Sequence, residues 1–399
     1  MEVIVKRSYG RFFWCAVVVT VMSSLTPKAF AQGGTVLQPV PVGVNLQRPI
    51  SHNSGIDPAS NPAAMGAAID GTAIPLTDYT DMASDGNTYS GVLVGTSPFD
   101  GSGATTTVTS PIIPVVIQAN LGGVPYTSDP TAPDPCLPSG SDVDLVTNSP
   151  IFGFTDYMMN GEDVGNTQYV DAHQRASFWS TVNGTDYHLL LQPTVTDSQN
   201  FPFTQGYYAP QASCGAYNLF FEINEFDNWV TQVALPTAGV DPTQFPILLL
   251  QNVSLYVGDI SNCCVLGYHN ALDSFQTYSP SNVDTSGFFG GADIDTLSHE
   301  VGEWANDPLG TNATPPWGNI GQVSGCQANL EVGDPLSGTQ FPTVTMNGVD
   351  YHPQELAHFS WFFGDNPSLA AGGVYSNNGT FTAPALPCTP ASQTARPTP

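Results

Sequence analysis

The chain has 399 residues, with 34 Asp and Glu against 7 Lys and Arg, a formal net charge of −27. So negative a field repels phosphates and anionic headgroups, which excludes nucleic acid and the membrane surface as partners. The acids are dispersed and form no block, so they read as a solubilising surface suited to an acidic medium rather than as an interaction tail.

In chain order, Lys6, Arg7 and Arg11 precede an apolar run over 12–25, and Ala29-Phe30-Ala31 follows it. This is the pattern of an export signal cleaved after Ala31. The run is short for a membrane span, and Cys15 lies in its middle rather than at a lipoprotein cleavage position. The expectation is a secreted, extracellular protein without an anchor. Beyond residue 31 there is no lysine, and arginine remains only at Arg48, Arg175 and Arg396. Residues 32–85 carry few large apolar clusters and many turn residues, and are expected to form an extended or partly disordered segment ahead of a main domain over 86–388.

Within that domain, short β-branched runs between turn clusters predict strands over 89–94, 105–118, 187–193, 217–223, 247–257 and 344–349. Helical spacing is rarer, over 171–179, 224–233 and 353–363. It is clearest over 293–306, where Ile294, Leu297, Val301 and Trp304 recur on one face, Asp293 or Asp295 can cap the start, and Asp307-Pro308 ends the run. The fold class is therefore α+β and β-rich: an irregular β-sheet body with one prominent helix and few others. The tail over 389–399 is rich in Pro and Thr and is expected to be disordered. Six cysteines remain after the signal, Cys136, Cys214, Cys263, Cys264, Cys326 and Cys388, which predicts up to three disulfides. Adjacent Cys263 and Cys264 are expected to reach two distant partners rather than each other. A cysteine metal site is the alternative, although no Cys-x-x-Cys spacing occurs.

The clearest helix contains His299-Glu300-Val301-Gly302-Glu303. His299 and Glu303, four residues apart, project from one face and can bind one cation. Glu300 is placed to take a proton from a water activated at that cation, as the Glu of His-Glu-x-x-His metallopeptidases does. With eight Glu and seven His in the chain, independent placement yields this pattern about 0.003 times, so chance is an inadequate account. The plainer reading is a helix whose His and acids make local hydrogen bonds.

A third ligand is expected from Asn329-Leu330-Glu331-Val332-Gly333-Asp334-Pro335, either Glu331 with Asp334 orienting it or the reverse. Asp307 is a further contender, although helix termination explains it equally well. His269 and His352 are candidates to stabilise an oxyanion, or else hydrogen-bonded core histidines. His173, His188 and His358 have no metal-like spacing and receive no role. Glu in place of a second His makes the site more anionic and harder than the familiar zinc motif. Zinc remains the first expectation, with Ca or Mn as alternatives.

The blocks 297–308 and 331–334 resemble secreted bacterial proteins with a zincin-like His-Glu-x-x-Glu helix followed by Asp-Pro or Asn-Pro. Plant EXORDIUM-type, phosphate-induced proteins are distantly similar over the same blocks, and their Cys, Gly and His cluster is similar to 264–269. The resemblance covers about 247–365 and implies a metallopeptidase-like site built from His299, Glu300 and Glu303, completed by a downstream acid. The leading expectation is thus a secreted metal-dependent peptidase acting on a peptide or protein substrate. The alternatives are a non-catalytic extracellular or wall-associated binding protein with a structural ion, and a metal-free acid hydrolase using Glu222 and Glu225.

Overall fold

Consecutive Ile247, Leu248, Leu249 and Leu250 leave no polar face, a pattern that suits a strand covered on both sides. In the computed structural model, which describes residues 35–46, 68, 70–273 and 275–389, Ile247–Gln251 is such a strand. Ile247 and Leu249 enter one core cluster, Leu248 and Leu250 another. The predicted export signal and the tail from residue 390 lie outside the described residues.

Ile247–Gln251 runs parallel to Thr105–Leu121, the 17-residue strand around which a 12-stranded mixed sheet is built. From one edge the main order is Cys263–Val265, Val253–Tyr256, Leu219–Glu222, Tyr207–Tyr208, Val36–Pro39, Thr105–Leu121, Ile247–Gln251, Thr277–Val283 and Asn270–Ala271. Helices Tyr169–Ser177 and Asp295–Asn306 cover one face through Tyr169, Val170, Leu297, Val301 and Trp304. Phe226, Trp229, Val230 and Leu235, from the helical run 223–238, cover the other. The protein is accordingly α+β and β-rich with few helices, and the described residues form one unit.

Several boundaries differ from the sequence expectation for identifiable reasons. The body begins ahead of residue 86: Val36–Pro39 lies inside the large sheet with Leu37 buried, and Leu76–Met82 pairs with Thr88–Val94. The apolar run 247–257 is two strands, broken at Asn252, whose φ is 53° and whose side-chain amide binds Thr285 and Ser286. The run 344–349 is not one strand: Val344–Met346 pairs with Val349–Tyr351 in a hairpin that turns at Asn347-Gly348, with φ of 53° and 81°. That dipeptide is a strong two-residue turn signal.

The segment 353–363 is helical only at Phe359–Phe363. Before it, the Gln354 and Ala357 amides donate to Ser298 Oγ and the Val332 carbonyl, which holds the chain extended against the prominent helix. That helix starts at Asp295 without a side-chain cap, because the apolar Ile294 holds the N-cap position, while Asp293 accepts from the Ile294 amide and pairs with His352. The cysteines form Cys136–Cys214, Cys326–Cys388 and, against expectation, Cys263–Cys264. The peptide bond joining the last pair is cis, and their Cα atoms are 3.0 Å apart.

Candidate metal centre

Apolar packing fixes the direction of the helix Asp295–Asn306. Trp304 is fully buried, stacks on Phe245 with ring centroids 4.0 Å apart, and donates from Nε1 to Thr277 Oγ1. Leu297 and Val301 sit beside it in the core. The opposite stripe, Asp295, His299 and Glu303 at i, i+4 and i+8, is polar yet also buried. Such groups need partners, since a buried charge is otherwise neutralised or held by a metal.

Those partners come from two other stretches. His299 Nε2 lies 3.0 Å from Glu303 Oε1 and 3.7 Å from Asp334 Oδ1. His269, from the sheet edge just before Asn270–Ala271, has Nε2 3.2 Å from Glu331 Oε2 and 3.9 Å from Glu303 Oε2. His299, Glu303 and Asp334 form one set of donors within 4.8 Å, and His269, Glu303 and Glu331 a second. Either set can hold a metal ion. Both downstream acids thus join the centre, each with a different histidine.

A polar shell orients these donors. Gln354 Oε1 sits 3.0 Å from His299 Nδ1 while its Nε2 donates to the Gly333 carbonyl, which turns His299 Nε2 toward the acids. Gln322 and Gln327, from the hairpin Ala313–Ile320 and Val323–Asn329, donate to the two oxygens of Asp334. Asn329 Nδ2 donates to Glu331 Oε1 at 2.7 Å, and the Gly333 and Asp334 amides donate to Glu303 Oε1. Burial alone would depress both imidazoles. For His269, Glu331 reverses this and lifts the pKa to about 10; for His299, Glu303 holds it well above the ordinary value.

Glu300 belongs to neither donor set but lines a cleft of about 590 Å³, together with His299, Asp295, Gln322, Gln340 and Gln354. Burial raises the Glu300 pKa to about 8 and that of Asp295 to about 7. Gly267 leaves room for Glu300, because a Cβ there would stand 2.8 Å from its Cγ and Oε1. Sequence reasoning treated Asp295 only as a cap and missed Gln322, Gln327 and Gln354 altogether. The spacing Asp295-x-x-x-His299-x-x-x-Glu303 was the available signal for Asp295. The glutamines carried none.

The other candidates have local partners. His352 Nδ1 is 2.7 Å from Asp293 Oδ2, and His352 is in neither donor set. Asp307 accepts from the Thr311 and Asn312 amides and shapes the turn after the helix. Glu222 accepts from the Glu225 amide as a helix cap, and Glu225 from the Thr204 amide. His188 pairs with Asp171 at 2.7 Å. His173 and His358 are buried together around Asn377.

The charge around the centre suits a cation. Arg175 is the one Lys or Arg among the described residues, and its guanidinium is engaged by the Val164 and Tyr187 carbonyls. The donor chemistry, imidazole and carboxylate, fits a divalent metal. Gly333 matters to this fit, because a Cβ there would stand 2.5 Å from Nδ1 and 2.6 Å from Cγ of the His299 ring. Gly333→Ala is expected to displace an imidazole that Gln354 holds at the same Nδ1, lowering metal affinity by about 10–100-fold and stability by about 1–3 kcal/mol. Metal titration and urea unfolding would read both, and unchanged affinity would remove the backbone contact from the account. No family model, curated protein or solved structure matches this chain.

Proposed function

We propose that this protein is a secreted zinc-dependent hydrolase acting on peptide bonds. The observation that carries the reading is the placement of His299, Glu303 and Asp334 as a buried donor set beside a cleft whose wall includes Glu300. A zinc ion held there would supply Lewis acidity toward a carbonyl and make a water acidic. Glu300 then serves as the proton acceptor and, later, the donor to the leaving amine. Gln354 keeps His299 oriented, and Gln322 and Gln327 keep Asp334 in place. Gly290, Gly291, Gly321 and Gly338 also line the cleft, so part of its wall carries no side chains. The acidic net charge favours neutral or cationic peptides.

Export is supported by the basic and apolar N-terminal sequence and by three disulfides, which persist in oxidising compartments. No helix among the described residues is long and apolar enough to cross a membrane. The test is elemental analysis of the purified chain, followed by a peptide screen before and after chelation. Bound zinc with hydrolysis lost on chelation and restored by Zn²⁺ is expected. Hydrolysis that survives complete metal removal, or bound zinc with no hydrolysis of any peptide, would overturn the assignment, and the latter would leave an extracellular protein with a structural ion.

A further inference from the structure

Glu303 is the one residue common to the two donor sets, and it meets them with different oxygens. Oε1 faces His299 at 3.0 Å, while Oε2 faces His269 at 3.9 Å. We infer that the centre is dinuclear, with one cation held by His299, Glu303 and Asp334 at the cleft and a second held deeper by His269, Glu303 and Glu331, bridged by the Glu303 carboxylate. The inference rests on the cleft-side reading above and adds an ion to it.

Three observations carry it. His269 is only 5 % exposed and its Nδ1 has no hydrogen-bond partner among the described residues, so the polar contacts of this buried ring lie at Nε2, against Glu331 and Glu303. A buried imidazole is costly without partners, and here the partners it does have are metal-type donors. Each set also has its own orienting amides: Gln354, Gln322 and Gln327 serve the cleft-side donors, while Asn329 serves Glu331. One ion needs no such duplication.

Charge is the third. Glu300, Glu303, Glu331 and Asp334 are all buried, and no Lys or Arg among the described residues balances them. Two dications, each taking the place of the proton on its histidine, match these four carboxylates in formal charge. A carboxylate spanning two ions about 3.5–4 Å apart is a familiar arrangement in two-metal hydrolases. Of the five donors in the two sets, only His299 lines the cleft wall, so the first set borders the cleft and the second does not. The second ion therefore holds the bridging carboxylate in place rather than meeting substrate.

The test is to strip the full mature chain of metal, reload it with Zn²⁺, pass it through a desalting column and measure zinc per chain. Two equivalents are expected, falling to one in His269→Gln and to one in His299→Gln. One equivalent in the wild type overturns the second ion and leaves the proposed function standing; none overturns both. Two equivalents that persist in His269→Gln identify surface-bound zinc and also overturn the deep site. Should His269→Gln fail to fold, Glu331→Gln keeps the volume and hydrogen-bonding capacity of the side chain while weakening the donor, and the same drop to one equivalent is required of it.

Discussion

Glu300→Gln is expected to reduce peptide hydrolysis by about 10²–10⁴-fold, the usual contribution of a general acid–base group, while leaving zinc content unchanged. The separation follows from placement. Glu300 stands on the cleft wall, outside both donor sets, so its amide analogue removes proton transfer without removing a ligand. Its place depends on Gly267, where a Cβ would stand 2.8 Å from the Glu300 Cγ and Oε1. Glutamine fits the same space, which makes the variant a test of chemistry rather than of packing. His299→Gln should instead lose both zinc and turnover. Assays of rate and zinc content on the same preparations distinguish the two; a Glu300→Gln protein with the parental rate would show that the proton moves through another group.

This division of labour was only partly legible in the sequence. His299, Glu300 and Glu303 stood out because helical spacing alone places His299 and Glu303 on one face, and no tertiary information is needed for that. Glu331 and Asp334 could be named because they sit in one short turn, but the sequence left open which of them joins His299. The answer depends on two tertiary contacts, the hairpin glutamines Gln322 and Gln327 at Asp334 and the sheet-edge His269 at Glu331. Gln354 was hidden for a different reason. It lies in a stretch whose apolar spacing suggests a helix, whereas the amides of Gln354 and Ala357 are drawn into contacts with Ser298 and Val332. The α+β, β-rich class followed from local patterning, but that the strand Ile247–Gln251 is covered on both faces emerged only in the fold, because the run was read as part of one longer strand over 247–257. The Cys263–Cys264 bridge followed from neither, because adjacent cysteines carry no spacing that signals mutual pairing.

The layer behind the site helix supplies the other large effect, a loss of stability in acid that His358→Gln should abolish in part. His173 and His358 pack with ring centroids 5.9 Å apart and share the Asn377 amide oxygen, at 2.9 and 3.1 Å. Burial lowers their pKa values to about 4 and about 3. Because these folded-state values lie below the unfolded value of 6.5, the unfolded chain binds the extra protons. The stabilisation from keeping the rings neutral is full above pH 6.5 and is lost as pH falls toward 4. At about 1.4 kcal/mol per pKa unit, the loss is on the order of 3 kcal/mol for each ring. Buried carboxyls act oppositely: burial lifts Asp142 to about 9 and Asp365 to about 6, so their protonated forms favour the fold as pH falls. The wild-type profile mixes both signs, and the difference between wild type and His358→Gln isolates the imidazole. At pH 7 the variant should be the less stable, through disturbed bonding to Asn377; by pH 4 that deficit should shrink by about 3 kcal/mol or reverse. Urea unfolding across pH 4–7 measures this directly, and parallel curves for the two proteins would mean that these rings do not titrate on unfolding.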